Sequence, residues 1–326
     1  MNLNSYSLPT LQSSFFHNHF HRLKNNKTCV IIVGATAAGK TSAAVEIAQH
    51  FKTQIISADS RQCYKELNIG VAKPSANQLQ QIKHYFINSH SITNNVNAKA
   101  FEEYALQKAD MIFKDNDVAV IVGGTGLYIK AFCEGMDEVP ETDPQIRTEI
   151  NENYLSHGIE WLSKEVEKTD PLFYSKGEIK NPQRMLRALE VILSTGRSII
   201  EYQSYKKIQR DFKIIKVGLQ LSKEQLHQNI NNRVDEMIKQ GLVDEVKALL
   251  PFKTLNALQT VGYKELFDHL DKKNVLQDAI EKIKINTRQY AKRQMTWFKK
   301  DKEIKWFSPA DLLQIKTDLL QSVNKQ

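Results

Sequence analysis

The stretch CVIIVGATAAGKTSAAVEIAQHF, residues 29–51, decides the fold. It opens with a β-branched apolar run, Cys29 to Val33, and passes through the loop Gly34 to Thr41 into a helix-forming segment, Ser42 to Phe51. The loop matches the pattern G-x-x-x-x-G-K-[ST] in the strand–loop–helix context that this pattern requires. Average glycine usage makes a chance match in a chain of this length roughly a one-in-a-hundred event. The stretch therefore predicts a phosphate-binding loop in an α/β core.

The chemistry of such a loop follows from its backbone. Glycines let N–H groups turn onto phosphate oxygens, and the helix that follows presents its positive end to them. Lys40 adds a point charge, and the Thr41 hydroxyl is suited to hold Mg²⁺. A merely structural glycine turn is the alternative. The loop predicts a phosphate or diphosphate ligand and does not specify ATP.

Other segments extend the core. The runs Gln54 to Ala58 and Val118 to Val122 have strand character, and a helical stretch from Phe101 to Phe113 lies between them. Strands that alternate with helices predict a parallel sheet covered on both faces. The expected fold class is α/β, a P-loop NTPase-like parallel sheet core with an inserted all-helical domain.

We divide the chain into four segments by changes in composition. From Pro140 onward the segments are helical and charged, and no strand-like run returns before Phe212 to Leu219, which indicates an insertion in the core. The expected segments are a poorly ordered tail, the first part of the core, the helical insertion, and the second part of the core with a C-terminal basic helix, at residues 1–27, 28–139, 140–206 and 207–326.

Composition excludes several classes of protein. Hydrophobic residues are 41% and charged residues 25% of the 326, as in ordinary globular proteins. No apolar run approaches the ~20 residues that a membrane span needs. Three cysteines without a C-x-x-C pair argue against a disulfide framework and a Cys-rich zinc site, so we expect a reducing, cytoplasmic location. The acid-free N-terminal tail leaves a transit peptide open as an alternative.

The carboxylate that follows the second strand is a candidate base. A P-loop ATPase or GTPase is expected to have a strand that ends in an acidic residue, yet Val118 to Val122 ends in glycine. Asp59 instead follows the strand Gln54 to Ala58, and the carboxyl ends of parallel strands open on the same crevice. Asp59 could accept a proton from a substrate there. The alternative is that Asp59 or Ser60 caps the helix that follows.

Three further features carry weaker signals. The turn GGTGLY, residues 123–128, lacks the full spacing of a dinucleotide-binding motif. Thr125 either bonds a leaving diphosphate or belongs to a tight turn.

Asn181 and Pro182 start a helix on which Arg184 and Arg187 share a face. This face is suited to phosphate contacts or is simply solvated. The stretch 282–302 has eight basic residues and one acidic residue, which favours a polyanionic partner, as the net charge of +8 permits.

Together these pieces resemble the tRNA dimethylallyltransferases, also called tRNA isopentenyltransferases, of the bacterial type. The resemblance covers residues 28 to about 308. It rests on six motifs in the family's order: GATAAGKT, ADSRQCYKELNIGVAKP, GGTGLY, NPQRMLRALEV, TVGYKE and TRQYAKRQMTWF. Six ordered motifs are far more specific than a phosphate loop alone.

The resemblance implies a reaction and its partners. The dimethylallyl group would pass from dimethylallyl diphosphate to the exocyclic N6 amine of the adenosine 3′ of the anticodon, with release of diphosphate. The partners would be tRNA, through its anticodon stem-loop, and dimethylallyl diphosphate; the cofactor would be Mg²⁺, and the chain would act as a monomer. The target adenosine would be flipped out of its stack, because its amine is otherwise unreachable.

The resemblance also implies site residues. As catalytic residues it assigns Asp59 the role of base, and Thr41 and Thr125 that of stabilising the leaving group. The metal residue would be Thr41. The diphosphate-binding residues would be Gly34, Ala35, Thr36, Ala37, Ala38, Gly39, Lys40 and Thr41. The tRNA-binding residues would be Asp59, Ser60, Arg61, Gln62, Thr125, Arg147, Gln183, Arg184, Met185, Leu186 and Arg187.

The sequence departs from the family pattern at two points, and two alternative functions remain open. Gln259 stands where many family members have a basic residue before the VGY motif, which puts one cationic diphosphate contact in doubt. No Cys/His zinc finger follows the core, which favours the bacterial type. One rival is a P-loop kinase of a nucleotide or small metabolite, which would turn over ATP. The other is a nucleic-acid-binding module with a vestigial loop, which would give no product.

Overall fold

The structure, a computed structural model, describes residues 27–204 and 206–324. The predicted tail falls almost entirely outside them. The described chain forms two compact units. The sheet unit combines the chain up to Glu134 with the chain from Gln209 onward, and the helical unit spans Gly135–Ile208. The predicted bounds of the insertion were 140 and 206.

The sheet unit contains one parallel sheet. Its strands are β1 Thr28–Gly34, β2 Ile55–Ser57, β3 His84–Tyr85, β4 Val118–Val122, β5 Lys213–Leu219 and β6 Lys305–Phe307. They lie in the order β3-β2-β4-β1-β5-β6, and every pairing is parallel. The predicted α/β class is confirmed. The short edge strands β3 and β6 were not predicted.

Helices cover the sheet and build the helical unit. Those of the sheet unit are α1 Lys40–His50, α2 Ala76–Gln81, α3 Ala98–Asp115, α4 Gly126–Glu134, α8 Lys223–Lys239, α9 Leu242–Ala248, α10 Tyr263–Leu270, α11 Leu276–Phe298 and α12 Leu312–Asn324. Those of the helical unit are α5 Pro144–Thr169, α6 Pro171–Lys176 and α7 Pro182–Thr195. Short 3₁₀ turns lie at Ile199–Tyr202, Leu250–Phe252, Asn256–Leu258 and Pro309–Asp311. No helix among the described residues is both long and apolar enough to cross a membrane.

The central strands are buried on both faces. All of β1 and β4 is buried, as expected for a parallel sheet between helix layers, and this explains why both strands are continuous apolar runs. One face of the sheet packs on α1 and α12 through Ile47, Ile315 and Leu319. Burial of these side chains fixes β1 and α1, and with them the loop that joins the two.

Local signals set the helix ends. Asn181 accepts hydrogen bonds from the N–H groups of Gln183 at 3.1 Å and Arg184 at 3.4 Å, and so caps α7 as predicted. Ser222 caps α8 in the same way, through the N–H of Gln225. The long helix α5 is interrupted at Gly158, whose φ of 72° is left-handed and not helical.

Candidate active site

The loop Gly34–Thr41, here called the phosphate loop, lines a cavity of about 270 Å³. Gly39 has φ 80° and precedes the first turn of α1, so the helix begins at Lys40 with its N–H groups directed toward the cavity. Residues Thr36 to Ser42 line this cavity, which we call the phosphate cavity. A concave site of backbone donors at a helix N-terminus is suited to anions, so anion binding by this loop stays a prediction.

Three cationic side chains line the phosphate cavity, those of Lys40, Lys73 and Arg233. The ammonium of Lys40 donates to the carbonyl of Ala35 at 2.7 Å. Burial, and secondarily the positive charge of Arg233, lowers the pKa of Lys40 to about 8, and the charge of Asp59 opposes this shift. Arg233 lines the cavity from α8 and donates to the hydroxyl of Thr36 at 3.1 Å. The cavity therefore concentrates positive charge.

Asp59 lies in the segment Ala58–Gln62, here called the base segment, directly after β2. Its Oδ1 accepts hydrogen bonds from the N–H groups of Arg61 at 2.9 Å and Gln62 at 3.2 Å. Among the described residues Oδ2 has no hydrogen-bond donor. One oxygen of this carboxylate therefore holds a turn and not the expected helix start, and the role of the side chain as a base stays a prediction.

The end of β4 lies between the phosphate loop and the base segment, since β4 pairs with both β1 and β2. Gly123 and Gly124 line the phosphate cavity at that point, where an acidic residue was expected and is missing. Thr125 holds the base segment: its hydroxyl accepts from the N–H of Ser60 at 3.1 Å. Within the described chain, Thr125 is not among the residues that line the phosphate cavity.

A second cavity of about 490 Å³ adjoins the first. Five residues line both cavities: Thr36, Asp59, Val71, Ala72 and Arg233. The second cavity has an apolar part, lined by Val234, Met237, Leu242 and Ile283. It also has a polar part, lined by Arg61, Lys264, Asn286, Tyr290 and Arg293. Asp59 thus lies where a site for anionic groups meets one that suits both apolar and aromatic groups.

Sequence reasoning missed two residues that the fold brings to the phosphate loop. Arg233 comes from α8, and Gln294 of α11 accepts from the N–H of Thr36 at 2.8 Å. Neither belonged to the predicted site, although Gln294 lies in a quoted motif. No local pattern distinguishes them from the other polar residues of amphipathic helices, because only the folded chain brings them to the loop.

Gln259, whose position raised doubt about a diphosphate contact, lines the second cavity. Its amide donates to the carbonyl of Lys253 at 2.6 Å. Arg233 is a cation that lines both cavities from another helix. Without a basic side chain at 259, the phosphate cavity still has the lining cations Lys40, Lys73 and Arg233.

The basic stretch of α11 is divided between contacts and solvent. Lys284 forms an ion pair with Asp235 of α8 at 2.9 Å, and Arg288 donates to Asn231 at 3.2 Å. Lys292 and Lys299 are exposed. The first half of the stretch therefore holds α11 on α8, and the second half presents charge to solvent.

In the helical unit, two predicted tRNA contacts share one carboxylate. The buried Glu190 forms ion pairs with Arg147 at 3.4 Å and with Arg187 at 3.1 Å. Arg184 is half-exposed and forms an ion pair with Glu178. The basic face of α7 is thus present, with its guanidinium groups oriented by acidic neighbours.

Met185 and Leu186, also predicted as tRNA contacts, are only 1% and 4% exposed. They belong to the core of the helical unit together with Leu162, Val166 and Leu189. Their side chains support α7 and do not face solvent. The exposed members of the predicted set on α7 are Gln183 and Arg184.

Comparison with known proteins places these motifs in one family. A family model described as IPP transferase matches residues 62–301. A tRNA dimethylallyltransferase of Christiangramia forsetii is 48% identical over 276 residues, which are 85% of this chain and 91% of that protein. A tRNA dimethylallyltransferase of Cytophaga hutchinsonii is 42% identical, over 90% of this chain and 96% of that protein.

Solved structures agree with the sequence comparison. The tRNA isopentenylpyrophosphate transferase of Bacillus halodurans aligns with a TM-score of 0.68 and 30% identity, over 92% of this chain and 97% of that one. A eukaryotic dimethylallyltransferase acting on tRNA aligns with a TM-score of 0.73 and 26% identity, over 91% of this chain and 77% of that one.

Proposed function

The chain belongs to the tRNA dimethylallyltransferase family, and on that premise we propose the reaction that its site performs. The dimethylallyl group of dimethylallyl diphosphate is transferred to the exocyclic N6 amine of the adenosine 3′ of the anticodon in tRNA. A bond forms between this nitrogen and C1 of the dimethylallyl group, the bond between C1 and the diphosphate oxygen breaks, and diphosphate leaves. The observation that carries the proposal is that Asp59 lines both cavities.

The phosphate cavity suits the diphosphate. The N–H groups at the start of α1, the ammonium of Lys40 and the guanidinium of Arg233 all serve this cavity. As the bond to C1 breaks, negative charge grows on the diphosphate, and fixed donors stabilise it without having to reorient. The phosphate loop thus binds a leaving group.

Asp59 is suited to accept the proton that the adenine amine loses. The adenine amine is a poor nucleophile, and it must lose a proton as the new C–N bond forms. Oδ2 of Asp59 accepts that proton, while Oδ1 stays in its hydrogen bonds to the base segment. Because the turn holds the carboxylate by its other oxygen, the base does not have to be positioned anew when substrate binds.

The second cavity is suited to the dimethylallyl chain and the adenine base. Its apolar part fits a five-carbon chain, and Tyr290 and Asn286 offer an aromatic face and an amide to a base. Target selection needs the anticodon stem-loop, and the basic face of α7 in the helical unit is our candidate for that contact.

Mg²⁺ fits this site only as a partner of the diphosphate. The described chain has no group of three or more His, Cys, Asp or Glu side chains that could hold a metal by itself. The Thr41 hydroxyl lines the phosphate cavity and would be the protein ligand, with diphosphate oxygens and water as the others. The ion would neutralise charge on the leaving diphosphate. We further infer a cytoplasmic location, because the family acts on tRNA, and a monomeric state.

Nothing in the comparisons favours the kinase alternative. Purified protein, Mg²⁺, dimethylallyl diphosphate and unmodified tRNA are incubated, and the digested nucleosides are weighed. A mass gain of one isopentenyl group on adenosine supports the proposal. Consumption of ATP, or binding of tRNA without a product, would overturn it.

A further inference from the structure

A buried amide joins the two halves of the site. Gln294 lies on α11 and is 6% exposed. Its Oε1 accepts from the backbone N–H of Thr36 at 2.8 Å, and its Nε2 donates to the carbonyl of Gly124 at 2.9 Å. One side chain thus bonds the phosphate loop to the turn Gly123–Gly126, here called the glycine loop.

The glycine loop is in turn bonded to the base segment. Ala58 donates its N–H to Val122 at 2.7 Å and accepts from the N–H of Thr125 at 3.3 Å. The Thr125 hydroxyl accepts from the N–H of Ser60 at 3.1 Å. A continuous series of hydrogen bonds therefore runs from the phosphate loop, through Gln294 and the glycine loop, to the segment that holds Asp59.

The packing around this amide is tight. A Cβ atom at Gly124 would collide with Nε2 of Gln294, and one at Gly126 would collide with the indole of Trp297, one turn further along α11. Ala291, one turn earlier, packs under the phosphate loop with Ala35 and Ala38. Glycine is needed in the loop because α11 approaches its backbone closely. The same face of α11 thus packs against both the phosphate loop and the glycine loop.

We propose that Gln294 is a positioning residue that sets the separation between the diphosphate and the base. The inference rests on the proposed function. Transfer requires C1 of the bound diphosphate ester and Oδ2 of Asp59 to flank the same amine, and a misplacement near 1 Å can cost about 100-fold in rate. Gln294 lines neither cavity, and the side chains of Lys40 and Arg233 bond to Ala35 and Thr36 and not to Gln294. Loss of this amide therefore lowers kcat while diphosphate binding persists.

The experiment compares Gln294→Met, which keeps the volume and removes both hydrogen bonds, with Gln289→Met. Gln289 is exposed on the same helix and serves as the control. We measure kcat, the KM for tRNA and the Kd for inorganic diphosphate. For Gln294→Met we expect kcat to fall about 100-fold, with the Kd and KM within about threefold of the wild type. Gln289→Met should match the wild type.

Gln294→Glu gives a second test if the methionine variant does not fold. Its carboxylate can still accept from Thr36 but places an acceptor against the Gly124 carbonyl, so one half of the bridge is lost and kcat should again fall. The inference is overturned if kcat is unchanged, or if kcat and diphosphate binding are lost together. Absence of product with the wild-type protein would instead refute the proposed function.

Discussion

At the scale of single residues, the carboxylate of Asp59 divides its work between its two oxygens. Oδ1 accepts two backbone hydrogen bonds that hold the turn, and in the proposed reaction Oδ2 accepts the proton of the substrate. The nearby Lys40 is a cation held in a buried place, where its charge is costly. The consequences of these two environments can be tested separately.

Asp59→Asn should separate the two roles. The amide oxygen can still accept from Arg61 and Gln62, so the turn persists, but an amide cannot take the amine proton. We expect kcat to fall about 100- to 10,000-fold. Single-turnover kinetics measure the rate, and Asp115→Asn, at an exposed carboxylate of α3, is the control. A kcat near that of the wild type would refute the role of base.

Lys40 predicts a pH dependence of diphosphate binding. Burial, aided by the charge of Arg233, lowers the pKa of Lys40 to about 8, so the ammonium is charged below that pH and neutral above it. The affinity for inorganic diphosphate should therefore decline as pH rises through about 8. Calorimetric titration between about pH 7 and pH 9 measures this. Lys40→Gln should bind more weakly near pH 7 and show a smaller decline; an equal decline in both proteins would contradict the assignment.

At the scale of elements, side chains of α9 and α10 hold the segment 68–72, which has no regular secondary structure. The carboxylate of Glu245 on α9 accepts from three consecutive backbone N–H groups, those of residues 68–70, at 3.2, 2.8 and 3.1 Å, and from the hydroxyl of Tyr263 on α10 at 2.6 Å. Val71 and Ala72 follow directly and line both cavities. The wall shared by the cavities thus depends on a carboxylate outside them.

Glu245→Gln should loosen that wall. The amide has one acceptor oxygen, and its NH₂ group would face backbone donors, which costs about 1–3 kcal/mol. We expect a lower free energy of unfolding and a higher KM for dimethylallyl diphosphate, measured by urea denaturation and steady-state kinetics. Glu103→Gln, at an exposed position of α3, should change neither. An unchanged KM in Glu245→Gln would show that the hydrogen bonds to Glu245 are not required to position this wall.

At the scale of the whole molecule, the core must be rejoined after the chain has passed through the helical unit. Arg210 lies just past the helical unit and is bonded to the first part of the core. It forms an ion pair with the buried Glu102 of α3 at 2.8 Å and donates to the carbonyls of Ala131 and Phe132, at the end of α4, at 2.9 and 2.8 Å. One guanidinium thus joins both parts of the core.

Arg210→Met should destabilise the sheet unit strongly. It leaves the buried Glu102 with the partly exposed Lys99, at 3.5 Å, as its remaining ion-pair partner among the described residues, and breaking a buried pair costs about 3–5 kcal/mol. Thermal or urea unfolding measures the loss. Lys273→Met breaks exposed ion pairs with Asp268 and Asp271 and should lower the free energy of unfolding far less. Equal losses in the two variants would contradict a special role for Arg210. The double variant Arg210→Met, Glu102→Leu should recover part of the loss.

The amino-acid sequence by itself determined the features whose causes are local. The phosphate loop follows from glycine spacing, the central strands β1 and β4 from continuous apolar runs, and the cap of α7 from Asn181 before Pro182. Each depends on residues within one turn or one strand of each other. The α/β class and the place of Asp59 after β2 were therefore predictable, and order among the motifs was enough to indicate the family.

Only the tertiary structure decided which distant residues meet. Arg233 and Gln294 reach Thr36 across 197 and 258 positions of the chain, and no local pattern encodes such contacts. The two-residue strand β3 forms because it pairs with the edge of β2. Burial of Met185 and the shared partner of Arg147 and Arg187 also follow from packing alone. Local propensity acts over a few bonds, whereas these features depend on which surfaces the fold brings together.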